Sequence, residues 1–382
     1  MNILINASNL SGGGGAQVAD SLCRYLKDYP KHSFIAVLSK ALDGTAQCIE
    51  NYPNVKVVMY NYPPKDWHSF FTQRNKFLDG LVEDFSIECV LTVFGPMKWR
   101  PKCPHVCGFA LSQVVIPESP FYKRMSFAQR VKSRIQAKLW AFIFWRSAKY
   151  FYTENELITK RLQNLFWNRE VHTITNNYNQ VFNHPENWKR KELPSYDGVQ
   201  LLSVTSSGCH KNLPIAFDVA KILKDAHPDF KFRFVFTIDS IEFPAIPDEL
   251  KDCFLFTGKV SISECPSLYD QCDFEFQSTL LECFTATYPE AMVMKKPIIT
   301  TDLEFARGIC GRAAVYYSPV SAKSAADAIY NLSMDKELQD VLIKNGVEQL
   351  KLFDTNEQRA QKIISLCEQT AFKPKTVIRK NK

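Results

Sequence analysis

The segment from Asp273 to Thr301, DFEFQSTLLECFTATYPEAMVMKKPIITT, constrains the fold more than any other part of the chain. Its apolar run over Asp273–Gln277, polar loop, helix from about Thr285 to Met294 and second apolar run over Pro297–Thr301 predict a β-loop-α-β unit. Glu282 and Glu290, eight positions apart, then fall on the entry loop and about a turn inside the helix, two acids aimed at one cleft. In such units ligands collect at the carboxyl ends of the strands, where the first turn of the helix offers free N–H groups to an anion.

The same grammar repeats along the chain. Asn2–Asn6 reads as a strand that runs into Ser11-Gly12-Gly13-Gly14-Gly15, followed by a helix with Val18, Leu22 and Leu26 on one face. Strand, glycine turn and helix open a Rossmann-like unit. The spacing is not Gly-x-Gly-x-x-Gly, so a dinucleotide site is poorly supported. Gly14 and Gly15 serve either a flexible turn or a backbone that approaches a phosphate or an acceptor sugar. Further strands are expected at 34–39, 55–60, 89–94, 106–109, 149–153 and 172–176, with helices between several of them, giving a parallel α/β sheet.

Residues 181–198, polar and with little periodicity, read as an interdomain linker. A second α/β series follows: strands at 199–205, 232–237 and 254–258, then the unit described first. After Tyr316 the pattern turns helical, at 322–332, 336–350 and 357–370. The expected organisation is an N-terminal Rossmann-like domain over 1–180, the linker, a second Rossmann-like domain over 199–355, and a C-terminal helix that could pack back on the first domain, with a basic tail, over 356–382. The fold class is α/β, two Rossmann-like domains facing across a cleft.

Composition sets outer limits. A chain of 382 residues with 46% apolar content can give two domains a core each. Its 12 cysteines include no Cys-x2-Cys pair, which excludes the usual zinc patterns and suits buried thiols in a reducing cytosol. The start, MNILINASNL, lacks the basic and apolar regions of a signal peptide, and the run Leu139–Trp145 is too short to span a bilayer. The net charge of +7 is local, because residues 121–150 hold eight cations and no acid. That argues against a nucleic-acid binder and for one docking face. Phe127, Val131, Ile135, Leu139 and Ile143 recur every four residues beside a ridge of Arg130, Arg134 and Lys138, with Trp140, Phe142, Phe144 and Trp145 at its end. This reads either as a helix docking on an anionic membrane surface or as a core helix with a solvated cationic face.

SGCHKNL at 207–213, FTGKVS at 256–261, YDQCD at 269–273 and Glu282-CFTATYP-Glu290-AM followed by KKPIITTD resemble the GT-B glycosyltransferases of glycosyltransferase family 4. The resemblance is specific from about 199 to 319. It implies a retaining enzyme that moves a sugar from a UDP- or GDP-linked donor to a glycan or lipid-linked acceptor in cell-surface polysaccharide or lipopolysaccharide synthesis. The donor is a substrate and no cofactor is implied. By resemblance Lys211 binds the diphosphate, Glu282 sits by the donor sugar, Glu290 accepts from the ribose hydroxyls, and Thr257, Gly258 and Lys259 lie near the base. The amides of Phe284, Thr285 and Ala286 line the donor phosphates. A bare β-α turn at 257–259 and an idle surface lysine at 211 are the plain alternatives.

The family's usual arginine five positions before the lysine is Ser206 here, which shifts work onto Lys259 or the Thr285 loop. Cys283 and Thr285 stand where glycines often follow the first acid, so the donor sugar does not carry over. His105 lies where the family often has a histidine or aspartate near the reacting carbon, but here it precedes its strand. His210 is a second candidate, with a structural turn role as the safer reading. The chain contains no Asp-x-Asp, so no metal site is expected and cations with helix N-termini must hold the leaving group. Such an enzyme would be cytoplasmic and peripheral at the inner membrane face. A GT-B-fold nucleotide-sugar epimerase and a non-catalytic membrane-associated scaffold of the same fold are the alternatives.

Overall fold

A computed structural model describes residues 1–63 and 71–372. In chain order its main elements are β1 (Asn2–Ala7), α1 (Gly13–Arg24), β2 (Ser33–Leu38), α2 (Asp43–Ile49), β3 (Val55–Met59), α3 (Lys76–Asp84), β4 (Cys89–Thr92), β5 (His105–Gly108), α4 (Ser112–Val115), α5 (Phe127–Ser147), β6 (Tyr150–Thr153), α6 (Glu156–Leu165) and β7 (Glu170–Thr173). There follow β8 (Val199–Ser203), α7 (Ile215–Ala226), β9 (Phe232–Phe236), β10 (Phe254–Phe256), α8 (Cys265–Gln271), β11 (Phe274–Gln277), α9 (Thr287–Val293), β12 (Ile298–Thr301), α10 (Glu304–Cys310), β13 (Ala314–Tyr317), α11 (Ala322–Met334), α12 (Lys336–Leu350) and α13 (Asn356–Phe372).

The first compact unit combines Met1–Ala110, Ile135–Thr175 and the chain from Thr355 onward. Its parallel sheet has the order β3-β2-β1-β4-β5-β6-β7. Strand β1 is central and buried on both faces, which is why it reads as a nearly unbroken apolar run. Helix α1 buries Val18, Ala19, Leu22 and Cys23 against this sheet, and α13 adds Ala360, Ile363, Ile364, Leu366 and Cys367 to the same core. Beside that core, Arg359 of α13 donates to Glu154, just past β6, at 2.7 Å.

The second unit combines Leu111–Arg134 with Asn176–Asp354. Its sheet is also parallel, in the order β10-β9-β8-β11-β12-β13. Phe234, Phe236, Phe254 and Phe276 pack together in a core shared with α7 and α11.

Two expectations need correction. Residues 181–198 are not a free linker: Lys189 N donates to Ser263 O at 2.8 Å, Lys191 N to Ser267 Oγ at 3.0 Å and Leu193 N to Gln271 Oε1 at 2.9 Å, which fastens the segment along α8. Residues 111–134, expected in the first domain, belong to the second unit. Strand β13 and helix α10 add to the elements expected. Both are short, and their apolar runs are too brief to carry a period. The basic tail from Lys373 lies outside the described residues.

Candidate functional site

In the second sheet β8 is central: the chain leaves it toward β9 and β10 on one side, while β11, β12 and β13 build the other. The loops after β8 and β11 therefore diverge at the carboxyl edge, and this switch point is where parallel α/β sheets open a crevice for ligands. Both loops carry the residues singled out by sequence.

The loop after β8 passes the exposed Ser206 and closes in a single turn, Cys209–Lys211, ended by Asn212 in the left-handed region at φ 53°. Cys209 is exposed. The loop after β11 is pinned to that turn: Leu280 N donates to His210 O at 2.8 Å, and Ser278 Oγ to Lys211 O at 2.7 Å. With the backbones locked, Lys211 Nζ reaches Glu282 Oε1 at 2.6 Å, and Thr279 Oγ1 donates to the same oxygen at 3.1 Å. The lysine and the glutamate side chains are 14% and 15% exposed, so the pair is shielded but open on one side.

His210 Nε2 stands 3.7 Å from Glu282 Oε1, and its ring meets Phe121 edge-on with centroids 6.4 Å apart. Burial lowers the His210 pKa; the Glu282 charge opposes this and Lys211 adds to it. Ser119 Oγ donates to Leu280 O at 2.6 Å, so the 111–134 segment braces the same loop. Nothing in the sequence pattern marked Ser119 or Phe121.

Glu290 lies in the first turn of α9 and is buried. Its Oε2 is 3.4 Å from the Tyr269 hydroxyl, which also lies 3.2 Å from Thr287 O. Burial pushes the Glu290 pKa up to about 7, and the Tyr269 hydrogen bond works the other way. An idle pair of solvated acids at a helix start does not fit these positions. A further acid, Glu275 in the middle of β11, is wholly buried and was missed. The signal was present in Phe274-Glu275-Phe276-Gln277: the phenylalanines line the core face, so the acid and amide share the other.

Among the flanking residues, Thr285 is buried with its hydroxyl 3.3 Å from that of Thr287, Phe284 meets Phe353 edge-on, and Ala286 precedes α9. Gly258 follows β10 at φ +70°, and a β-carbon there would approach Asp239 Oδ1 to 3.0 Å, so this turn needs glycine; Lys259 beside it is exposed.

In the first unit Gly14 and Gly15 form the opening turn of α1 at the carboxyl end of β1. The left-handed positions are Gly12 and Gly13, at φ +135° and +64°, while a β-carbon on Gly14 meets nothing and one on Gly15 makes ordinary contact with Leu10. The catalytic expectation for His105 is corrected. It is the first residue of β5, at the amino edge of a parallel sheet, and it is buried. Its Nδ1 donates to Ser147 O at 2.9 Å and its Nε2 accepts from Thr92 Oγ1 at 2.9 Å. Burial lowers its pKa to about 4, which keeps the ring neutral at physiological pH.

Residues 185–349 match the family model described as glycosyl transferases group 1. No match was found among curated proteins. Among solved structures, the chain is similar to sucrose-phosphate synthase from Thermosynechococcus elongatus, with TM-score 0.68 and 17% identity over 96% of this chain and 98% of that one. It is also similar to a glycosyltransferase from Rickettsia africae, with TM-score 0.67 and 14% identity over 98% and 99%. WaaG, a glycosyltransferase involved in lipopolysaccharide biosynthesis, gives TM-score 0.67 and 12% identity over 96% and 99%. The fold of the chain is thus GT-B, and its residues 185–349 are similar to the group 1 glycosyltransferases.

Proposed function

We propose that the chain is a retaining, metal-independent transferase that moves a hexose from a UDP- or GDP-linked donor to a glycan or lipid-linked acceptor. The observation that carries this reading is the Lys211–Glu282 pair at the switch point of the second sheet, inside the segment matched as a group 1 glycosyltransferase. Lys211, as a cation on a pinned turn, takes the donor diphosphate. Glu282, released from Lys211 by the incoming phosphate, accepts from hydroxyls of the donor sugar. Glu290 takes the ribose hydroxyls, and the loop from Phe284 to Ala286 supplies amides to the phosphates. Gly258 and Lys259 flank the base.

In the transfer, the C1–O bond to the diphosphate breaks with its electron pair leaving on the phosphate oxygen. The acceptor hydroxyl forms the new C1–O bond and passes its proton to that departing phosphate oxygen. The absence of Asp-x-Asp from the sequence supports a departing charge held by Lys211 and backbone donors. The solved relative WaaG supports an acceptor in lipopolysaccharide or another cell-surface polysaccharide. The cationic α5, with Phe127, Val131 and Ile135 exposed on its ridge, supports a cytoplasmic enzyme held peripherally on the inner membrane face. No helix among the described residues is long and apolar enough to cross a membrane.

The test is turnover of UDP- and GDP-hexoses with lipid-linked acceptors by the purified chain. Lys211→Ala is expected to lower kcat by about 10²–10³-fold, the usual cost of one well-aimed charge-stabilising donor. A folded wild-type protein that neither binds nor turns over any of these donors would sink the reading. Product formed without an acceptor would favour an epimerase instead.

A further inference from the structure

Behind Glu290 lies a second acid with no place in the donor reading. Glu275 is 0% exposed in the central part of β11. Its Oε1 accepts from Gln277 Nε2 at 2.6 Å, while its Oε2 is buried without a hydrogen-bond partner. Gln277 also donates to Thr287 Oγ1 at 3.2 Å, so β11 and the start of α9 are joined through these side chains.

The groups facing the pair are Gln277 from β11, Cys265 and Tyr269 from α8, Cys272 after it, Thr287 from α9 and Cys310 from α10. Burial raises the pKa of each of the three thiols and of Tyr269, so all four are neutral near pH 7. No lysine or arginine is among the groups acting on either carboxyl.

Two carboxyls in one dry pocket without a cation cannot both ionise, and one proton must stay. Glu290 has a hydroxyl donor in Tyr269 and the positive end of a helix at its backbone. Glu275 sits in the middle of a strand, 0% exposed against 3% for Glu290, and although Gln277, Thr287 and Tyr269 act on it, its Oε2 has no donor within hydrogen-bond distance.

We propose that Glu275 is a positioning residue for Glu290, holding the one proton the buried pair must keep so that Glu290 alone ionises and meets the donor as a carboxylate. The ribose contact rests on the donor-site reading given above; the location of the proton does not. Donor binding is then tied to the ionisation of Glu290 and strengthens as pH rises through a midpoint near 7, the value at which burial places that carboxyl. The amide of a glutamine can stand in for a protonated acid, whereas an apolar residue cannot.

The test combines calorimetry with UDP and GDP across pH with infrared detection of a protonated carboxyl. Glu275→Gln is expected to rescue the pH midpoint and to hold nucleotide affinity within about twofold, while Glu275→Val weakens it by about tenfold or more at high pH, one lost charge-assisted interaction. The wild type is expected to keep a protonated-carboxyl band above pH 8 that persists in Glu290→Gln and vanishes in Glu275→Gln.

A midpoint lowered by about one unit in Glu275→Gln would overturn the proposal, because the wild-type Glu275 would then carry charge. So would wild-type affinity and midpoint in Glu275→Val, or a wild type lacking the band. The band and the glutamine variant decide the matter even if Glu275→Val does not fold. A band behaving as expected with neither nucleotide bound would support the proton assignment and overturn the donor-site reading.

Discussion

Burial, rather than any neighbouring charge, sets the chemistry of Glu290, and it does so at a cost in stability. The folded carboxyl holds its proton up to about pH 7, whereas an unfolded one releases it near 4.5. Between those values the unfolded chain binds fewer protons, so stability falls as pH rises through this window and stays level above it. Glu290→Gln is therefore expected to match the wild type near pH 4 and exceed it by about 1–3 kcal/mol near pH 8, in urea unfolding at the two pH values. The same variant is expected to lose nucleotide binding, which separates a functional acid from a structural one. The loop and first-turn positions of Glu282 and Glu290 were legible in their spacing, and the position of Lys211 in its place between a strand end and a helix start. Glu275 was overlooked although the alternation Phe-Glu-Phe-Gln set it on the face opposite the phenylalanines; only the fold shows that this face is buried too. His105 was misread for a matter of direction: a residue that opens a parallel strand lies at the edge opposite the ligand loops.

Helix α5 presents its apolar ridge to solvent. Phe127 is 80% exposed and Ile135 63%, and the residues it buries are only Ile143, Phe144 and Ser147, near its end. A core helix does not leave such a stripe uncovered, so of the two sequence readings the membrane-docking one has the better support. Replacing Phe127 and Ile135 together by glutamate is expected to reduce binding to anionic vesicles by about tenfold or more without lowering Tm, measured by vesicle sedimentation and thermal melting. Wild-type binding that is equally strong on neutral vesicles would remove the cationic ridge from the account. At this scale most strands were readable to within a residue or two, from Val55 in β3 to Ile298 in β12. The four residues of β13, Ala-Val-Tyr-Tyr, gave no periodic signal and are a strand because Ile298–Thr301 of β12 pairs with them.

The two α/β series were legible in order, yet the allotment of chain to each unit was not, because it depends on pairings between residues far apart. Glu154 and Arg359 illustrate this: 205 positions separate them, both are more than nine-tenths buried, and burial raises the Glu154 pKa while Arg359 opposes it. Arg359→Met leaves that acid uncompensated and is expected to cost about 3–5 kcal/mol in denaturant unfolding, with much of the loss restored by adding Glu154→Gln. Helix α13, which carries Arg359, covers β4, β5 and α1 of the first unit yet follows the whole of the second in the chain. During synthesis the sheet from β1 to β7 therefore emerges complete but uncapped, and the contiguous stretch 176–354 must leave the ribosome before α13 can close over Cys89, Leu91 and Val93. For that interval the first-made half of the protein is the last to be finished, and its open flank is where chaperones and proteases compete with folding.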